Sequence, residues 1–541
     1  MSKRIKRIGA VLLAATLAVS GLFVPGQKGK APVTEAAVTG TFDNLNQAQI
    51  TAAMGAGWNC GNQLEANING VPDETAWQSS KITKKLLTKV KASGFTTVRI
   101  PVSYLSKIGA APDYTVEKEW LDRVQQIVDW CMELELYTII NVHGDGYNTI
   151  QGGWLLCNAP EKEQPAIREK YAALWKQIAT RFKDYDEHLI FEAMNEEFDG
   201  TYPAAPNTDY YENINKYNQV FLDTVRQTGG NNDKRWVMIT GWNTNIEFTT
   251  GKKNEDGTYT EYGFKLPTDN YLSKDIAAGE KRVMISVHSY DPWSFGGEEN
   301  STSATRWGVD ANSKWSVSYQ QEDYVEQQHK MLNERFVSQG YPVVLGEYGS
   351  NDKTSLDSYN ALYRPYYANT VCYFAKQNGI IPVIWDNGYN GNFGFALYDR
   401  TSATDEDTNE IVVTHQEIID GIMDIYQRDT KMNPPEIDPK EDYFKGKVNM
   451  YYATSKKANT VKVEFYSQRG VDGYQFYAST SKNFKKNLVK VKDSNWALEA
   501  KTLKNLKGGK KYYVKMRAYT KVGNKTYYSK WSKIKSAKAA K

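Results

Sequence analysis

Histidine and cysteine are scarce in this chain, at 5 and 4 of 541 residues. The cysteines, Cys60, Cys131, Cys157 and Cys372, form no CxxC pair and no metal-type spacing with histidine, so no metal or redox centre is built from them. Cys131 and Cys372 sit in helix-like stretches, where cysteine acts as a small core residue, and a disulfide in an exported protein stays open. Charge of one sign is also lacking. A net +4 is too small to argue for nucleic acid as a partner. No segment after residue 24 is apolar for long enough to span a bilayer.

What is present begins with an export signal. Lys3, Arg4, Lys6 and Arg7 form a basic start, Gly9–Val24 is apolar and uncharged, and Ala36-Ala37 resembles a small-residue cleavage site. Residues 1–37 are therefore expected to be a signal peptide, and the protein to be secreted or held at the extracellular cell surface. The length alone allows ~3 to 4 domains, or fewer if one is a large α/β barrel. Aromatics are plentiful, with 14 Trp and 37 Tyr. Most of them pack in cores, but their flat apolar faces also suit the C–H faces of sugars.

From about Gly55 to Gln427 one beat repeats: an apolar strand-like run, a loop, then an amphipathic helix. The runs are Ala56–Cys60, Thr97–Val102, Thr138–His143, Leu189–Asn195, Trp236–Trp242, Val283–Tyr290, Val343–Tyr348 and Pro382–Asp386. Several of the helices between them end in glycine, at Gly94, Gly229, Gly340 and Gly379, which suits a left-handed C-cap. Eight such units predict an α/β fold, a closed (β/α)8 TIM barrel over residues 40–428. A doubly wound open sheet would carry a glycine-rich phosphate loop after its first strand, whereas Gly55-Ala56-Gly57 precedes a strand. Thr249–Glu280 reads as a loop-rich insertion. Pro434, Pro435 and Pro439 mark residues 429–443 as a stiff linker. Beyond it, short alternating runs rich in Val, Tyr and Phe predict a small all-β sandwich over 444–536. Its many lysines either discourage edge pairing or attract an anionic cell-wall polymer.

In a parallel barrel, reactive groups gather where strands end. Two apolar runs deliver a glutamate there, Phe191–Glu197 and Val343–Gly349. Ionised carboxylates are expensive in such places unless paired or used. A pair of opposed carboxyls can cleave a glycosidic bond, one protonating the leaving oxygen and the other attacking the sugar. Other strand ends carry Arg99, His143, Asn195, His288, Tyr290 and Trp385. Glu197, one residue past Glu196, is expected to face away toward solvent or a salt bridge, by strand alternation. Glu192 and Glu65 read as structural, Asp145 either as a turn residue or as a sugar contact. Of Trp154, Trp242, Trp293 and Trp307, about half are expected to be sugar platforms.

These residues together resemble family 5 glycoside hydrolases, and in particular the bacterial endo-β-1,4-glucanases (cellulases) of that family. The carriers are Asn195-Glu196, Leu345-Gly346-Glu347, the opening Gly57-Trp58-Asn59-Cys60-Gly61-Asn62 and Asn392-Phe393-Gly394-Phe395. One departure is Gly144, where many members have a second histidine after the one matched by His143. The resemblance implies Glu196 as general acid/base with a raised pKa and Glu347 as nucleophile. It further implies that Arg99 and Tyr290 keep Glu347 ionised, Asn195 bonds the sugar 2-hydroxyl, and His143 and His288 complete the polar shell. Trp385 would floor the subsite of the attacked sugar, and Asn62 would join the substrate-binding set. No metal or organic cofactor is implied.

The expected activity is retaining hydrolysis of internal bonds in cellulose-like β-glucan, with mixed-linkage glucan and xyloglucan as further substrates and no nucleic-acid partner. The competing readings are an endo-β-1,4-mannanase, which uses the same catalytic set, and a non-catalytic carbohydrate-binding surface protein. The C-terminal module resembles fibronectin type III-like domains and is expected to act as a spacer or in cell-wall association. A monomer is expected.

Overall fold

The computed structural model describes residues 41–147, 149–202, 204–403 and 410–541; the signal-peptide reading of residues 1–37 lies outside them. Eight parallel strands close a barrel: β1 (Gly57–Asn59), β2 (Thr97–Ile100), β3 (Tyr137–Asn141), β4 (Leu189–Glu192), β5 (Val237–Asn245), β6 (Val283–Ser289), β7 (Val343–Tyr348) and β8 (Ile380–Ile384). Strand β8 pairs with β1 through Gly57 opposite Val383, which closes the ring. The helices between and after them are α1 (Lys84–Ala92), α2 (Lys118–Glu133), α3 (Gln164–Arg181), α4 (Thr208–Arg226), α5 (Ile246–Thr250), α6 (Glu322–Arg335), α7 (Asn360–Gln377) and α8 (Gln416–Tyr426).

Local sequence explains these elements. In α2, Trp120, Leu121, Val124, Ile127, Val128 and Cys131 recur at helical spacing and are buried against the sheet. The Thr83 hydroxyl caps α1 by accepting from the Leu86 amide at 3.2 Å, and Asn207 caps α4 on two amides. Gly94 and Gly379 follow helices with φ of 106° and 70°, a backbone that a side chain would strain. After β5 the expected loop-rich insertion contains the single-turn helix α5 and a short hairpin, Lys252–Lys253 with Tyr259–Thr260. A helix not foreseen, Gln47–Met54, precedes the first strand. Three of its apolar residues are alanines, and its two larger ones, Ile50 and Met54, are fully buried in the cluster with Ile139, Ile190, Met238, Met284, Val344 and Ile381. These side chains alternate along the strands with residues such as Ile140, Phe191 and Val287, which pack instead in the cluster shared with the helices.

All four cysteines are free and buried. Among the described residues no helix is long and apolar enough to cross a membrane.

After α8 come two antiparallel sheets. The strands are β9 (Met450–Thr454), β10 (Val461–Phe465), β11 (Gly473–Ser479), β12 (Val489–Asp493), β13 (Ala500–Leu503), β14 (Lys511–Val522), β15 (Lys525–Tyr528) and β16 (Lys535–Lys538). One sheet runs β9-β10-β13; the other runs β12-β11-β14-β15, with β16 also paired to β14. Alternate residues, including Val461, Val463, Phe465, Phe476, Val514 and Met516, form a separate apolar core.

His329 on α6 shows how burial sets the pH response of the fold. Its Nδ1–H donates to the Val325 carbonyl at 2.7 Å, and burial lowers its pKa to about 4. The unfolded ring binds its proton near ~6.5, so its stabilising contribution is complete above that pH and is lost as pH falls toward the folded value. His329→Gln is expected to flatten the fall of melting temperature between pH ~6.5 and ~4, measured by thermal denaturation across a pH series.

Candidate active site

The barrel interior changes from apolar to polar toward the carboxyl ends of its strands. One residue further along than Ile190, Met238 and Met284 on each inward face stand Glu192, Thr240 and Ser286, all fully buried. Among them lies Arg99 of β2, with no exposed surface. Its Nε donates to Glu192 Oε2 at 2.7 Å, Nη1 to Glu347 Oε1 at 2.9 Å and to Asn59 Oδ1 at 3.0 Å, and Nη2 to Asn195 Oδ1 at 2.8 Å. Glu192 also accepts from Asn141 Nδ2 at 3.0 Å and from Ser286 Oγ at 2.6 Å. The guanidinium fork therefore ties β1, β2, β4 and β7 together at one level.

Above this level the expected residues converge. Glu347 lies within β7, and its second oxygen accepts from the Tyr290 hydroxyl at 2.8 Å. A register shift at Val287/His288 sets His288 opposite Glu347 across the β6–β7 pairing. His288 Nδ1 is 2.8 Å from Glu196 Oε1 and 3.7 Å from Glu347 Oε1. Asn195 and Glu196 lie beyond the end of β4, on a turn where the Glu197 amide bonds the Asn195 carbonyl at 3.0 Å. His143 stacks near Trp385 at 6.3 Å between centroids, with planes 13° apart. Its Nδ1 accepts from Asn141 Nδ2 at 3.4 Å, which places the proton of the neutral ring on Nε2.

The electrostatics follow from burial. Burial raises the Glu347 carboxyl above its ordinary value and the Glu196 charge adds to this; His288, Arg99 and the Tyr290 hydroxyl act in the opposite sense. His143 is driven well below the ordinary imidazole value by burial, with Arg99 and His288 adding to the effect. One oxygen of Glu196, one of Glu347 and a ring nitrogen of His288 lie within 4.8 Å of one another, the one such cation-sized triplet among the described residues. The Arg99 guanidinium on Glu347 already supplies the positive charge that a metal ion would bring.

A cleft of about 900 Å³ opens over these groups, lined by His143, Asn195, Glu196, His288, Tyr290, Glu347 and Trp385. Arg99 stands behind the lining, fully buried. Asn62, expected among the substrate-binding residues, is not in the lining. Its backbone, at φ 59°, turns the chain after β1, and its amide donates to Glu65.

Glu197 departs from the expectation that it faces solvent or a salt bridge. It is fully buried without an ion-pair partner, and Gly146 packs so closely that a Cβ there would stand 1.5 Å from its carboxyl. The reason is that β4 ends at Glu192, so strand alternation no longer governs residue 197. Burial pushes its carboxyl well above the ordinary value, and Asp145 adds to this. Asp145 is itself structural: it accepts from the Tyr104 amide at 3.0 Å and from Trp154 Nε1 at 2.8 Å. Of the four loop tryptophans, only Trp293 reaches the cleft, 60 % exposed; Trp242 and Trp307 are core residues, and Trp154 is anchored on Asp145.

Sequence reasoning missed Tyr147, whose hydroxyl accepts from Asn195 Nδ2 at 2.6 Å and lies 3.4 Å from Glu196 Oε2. The Gly144-Asp145-Gly146 turn that delivers it was the available signal. It also missed Asn243 and Asn245 in the cleft wall, at the end of β5.

Comparison with known proteins identifies the family and the barrel. The model of the family described as cellulase, glycosyl hydrolase family 5, matches residues 61–391. Endoglucanase A of Paenibacillus barcinonensis is 50% identical over 424 residues, 78% of this chain and 99% of that protein. A xyloglucan-specific endo-β-1,4-glucanase of Bacteroides ovatus is 34% identical over 380 residues, 67% of this chain and 68% of that one. Among solved structures, a family 5 xyloglucanase from Paenibacillus pabuli is 54% identical with a TM-score of 0.65, covering 70% of this chain and 100% of that one.

Arg99→Met would leave Glu192 and Glu347 buried without their cation. It is expected to destabilise the protein by about 3–5 kcal/mol, read as a lowered denaturant midpoint. Arg99→Met combined with Glu192→Gln is expected to recover part of that loss, because one stranded charge is removed.

Proposed function

The chain belongs to glycosyl hydrolase family 5, the cellulase family, and on that premise we propose that it is a secreted, retaining endo-β-1,4-glucanase acting on cellulose-like β-glucans, with xyloglucan and mixed-linkage glucan as further substrates. The observation that carries this reading is the approach of the Glu196 and Glu347 carboxyls, with an oxygen of each within 4.8 Å. Retaining glycosidases need a carboxyl separation of about 5–5.5 Å, whereas inverting ones leave about 6.5–9.5 Å for a water.

Glu347 is the nucleophile. Arg99 and Tyr290 hold both its oxygens and favour the ionised form that attacks the anomeric carbon. Glu196, which collects no comparable fixed cation, donates its proton to the leaving oxygen. With the sugar then bound covalently to Glu347, Glu196 takes a proton from water as that water attacks, and the product leaves with its configuration retained. His288 orients Glu196 through Nδ1, and Tyr147 supports the other oxygen. Asn195 is fixed by Arg99 through Oδ1 and by Tyr147 through one Nδ2–H, which leaves its second Nδ2–H to donate to the sugar 2-hydroxyl. Trp385 offers an apolar floor to the attacked sugar.

Retention at the cell surface fits the outer face of the β12-β11-β14 sheet. Lys490, Lys492, Lys515 and Arg517 share that face with Gln475 and Tyr477 by strand register. Its aromatics are already covered by cations: Arg517 lies 3.8 Å from the Tyr528 ring centre and Lys515 4.3 Å from that of Trp531. A covered ring is a poor sugar platform, and a cationic sheet attracts polyanions, so an anionic cell-wall polymer is the partner we assign to it.

Hydrolysis products followed by NMR in real time are expected to appear first in the β configuration. Glu347→Ala is expected to abolish hydrolysis, and Glu196→Ala to lower kcat by about 10²–10⁴-fold on substrates with poor leaving groups. Initial rates across glucans, xyloglucan and mannan identify the backbone; preference for mannan would overturn the glucanase reading. For the sheet face, the charge reversals Lys490→Glu and Lys492→Glu in the full chain are expected to reduce salt-sensitive binding to cell-wall preparations while leaving hydrolysis of soluble glucan unchanged.

A further inference from the structure

The loop between β6 and α6 forms one wall of the cleft, contributing Trp293, Gly297 and Glu299. Its near end is held by the barrel. Lys353 Nζ donates to the Phe295 carbonyl at 2.6 Å, the Asn351 amide to the Gly296 carbonyl at 2.9 Å, and Asn351 Nδ2 to the Gly297 carbonyl at 3.1 Å. Farther along, Thr305 and Arg306 return to the barrel through Asn360 and Asp357, and the stretches on either side of them are held by the C-terminal β-module. Ser301 Oγ donates to the Ser467 carbonyl at 2.6 Å, and Arg469 Nε and Nη1 donate to the carbonyls of Thr302 and Ser316 at 2.7 and 2.9 Å. The Gly470 amide bonds the Lys314 carbonyl at 3.0 Å, and Lys314 Nζ pairs with Asp472 at 2.9 Å.

The anchor of this docking is Trp315. Though it belongs to the barrel's loop, it is 2 % exposed and packs in the module's own core with Phe444, Val448 and Val471. Gly470 makes the insertion possible, because a Cβ there would stand 2.3 Å from the indole. On the barrel side, Arg306 lies 4.7 Å from the Trp315 ring centre and joins the two units by pairing with Asp357 at 2.7 Å and Asp442 at 2.8 Å. A flexible spacer would share neither a hydrophobic core nor buried ion pairs with its neighbour.

We propose that the β-module is a working part of the cleft: through Trp315 and Arg469 it fixes the β6–α6 loop, and so sets the rim at Glu299 where the more distant sugars of a polymer dock. Only Asn300 separates Glu299 from Ser301, the first residue bonded to the module. Glu299 is thus bracketed by a barrel-held segment on one side and a module-held segment on the other. Trp315 and Arg469 are positioning residues; neither touches the reacting atoms. The consequence is selective. Subsites beside Glu196 and Glu347 rest on the barrel itself and do not depend on the module, whereas the outer rim does. This inference rests on the polysaccharide-cleft reading above.

Arg469→Gln in the full chain tests it. On polymeric β-glucan, KM is expected to rise about 3- to 30-fold, the range of coupling carried by packed networks, while kcat/KM on a short aryl β-cellobioside stays within about twofold of the parent enzyme. Hydrogen exchange in peptides spanning residues 293–303 is expected to accelerate, and Arg469→Lys to restore part of the polymer KM. Unchanged exchange with unchanged KM overturns the proposal, as does an equal loss on both substrates, which reports a general defect. Failure of the parent enzyme to cleave any glucan would refute the glucanase reading alone, and the exchange measurement would still decide whether the module holds the loop.

Discussion

A guanidinium fully enclosed at the mouth of a parallel barrel is the constraint around which this molecule is organised. Arg99 cannot lose its proton in a protein, so its charge must be met in place by hydrogen-bonded carboxylates. Glu192 and Glu347 meet it from β4 and β7, and Asn59 and Asn195 each accept a further bond. The planar fork allows few alternative arrangements. Holding Arg99 therefore holds the heights of four chain segments around the ring, and with them the position of the Glu347 carboxyl.

The same pairing separates two glutamates that resemble each other in sequence. Glu192 is sealed among Arg99, Asn141 and Ser286, with no access to the cleft. Glu347 shares the cation but faces the cleft, where burial works against its charge and Arg99, His288 and Tyr290 work for it. Glu197 is a third case, buried beneath the Gly144–Tyr147 turn with no ion-pair partner among the described residues. Three carboxylates within a short reach thus differ in role because their neighbours differ, and composition alone does not distinguish them.

The second layer of organisation is the shared core at Trp315. The long loop between β6 and α6 is tied to the barrel at Phe295–Gly297 and again at Ala304–Trp307, but the stretches at Ser301–Thr302 and Lys314–Ser316 lean on the β-module, and long loops are costly to order. By giving up one tryptophan to a neighbouring core, the loop gains burial that its own barrel does not supply. The β-module thereby becomes continuous with the wall of the cleft.

Much of this was legible in the chain. The alternation of apolar runs with amphipathic helices implied eight βα units, because burying a strand on both faces demands apolar residues throughout and covering it demands one-sided helices. The positions of Glu196, Glu347, His143, His288, Tyr290 and Trp385 at strand ends followed, since a parallel barrel presents all its carboxyl ends on one face. What was not legible depended on contacts between distant segments. Strand alternation failed at Glu197 because β4 stops at Glu192, and Tyr147 entered the site on a turn whose direction no local pattern sets. Trp315 carried no mark of the core it would join. Period and polarity are properties of neighbours along the chain, and these the sequence alone determined. Which buried charge finds a partner, and which face of a loop finds cover, depends on groups brought together only by closure of the barrel and docking of the module, and so was decided by the tertiary structure.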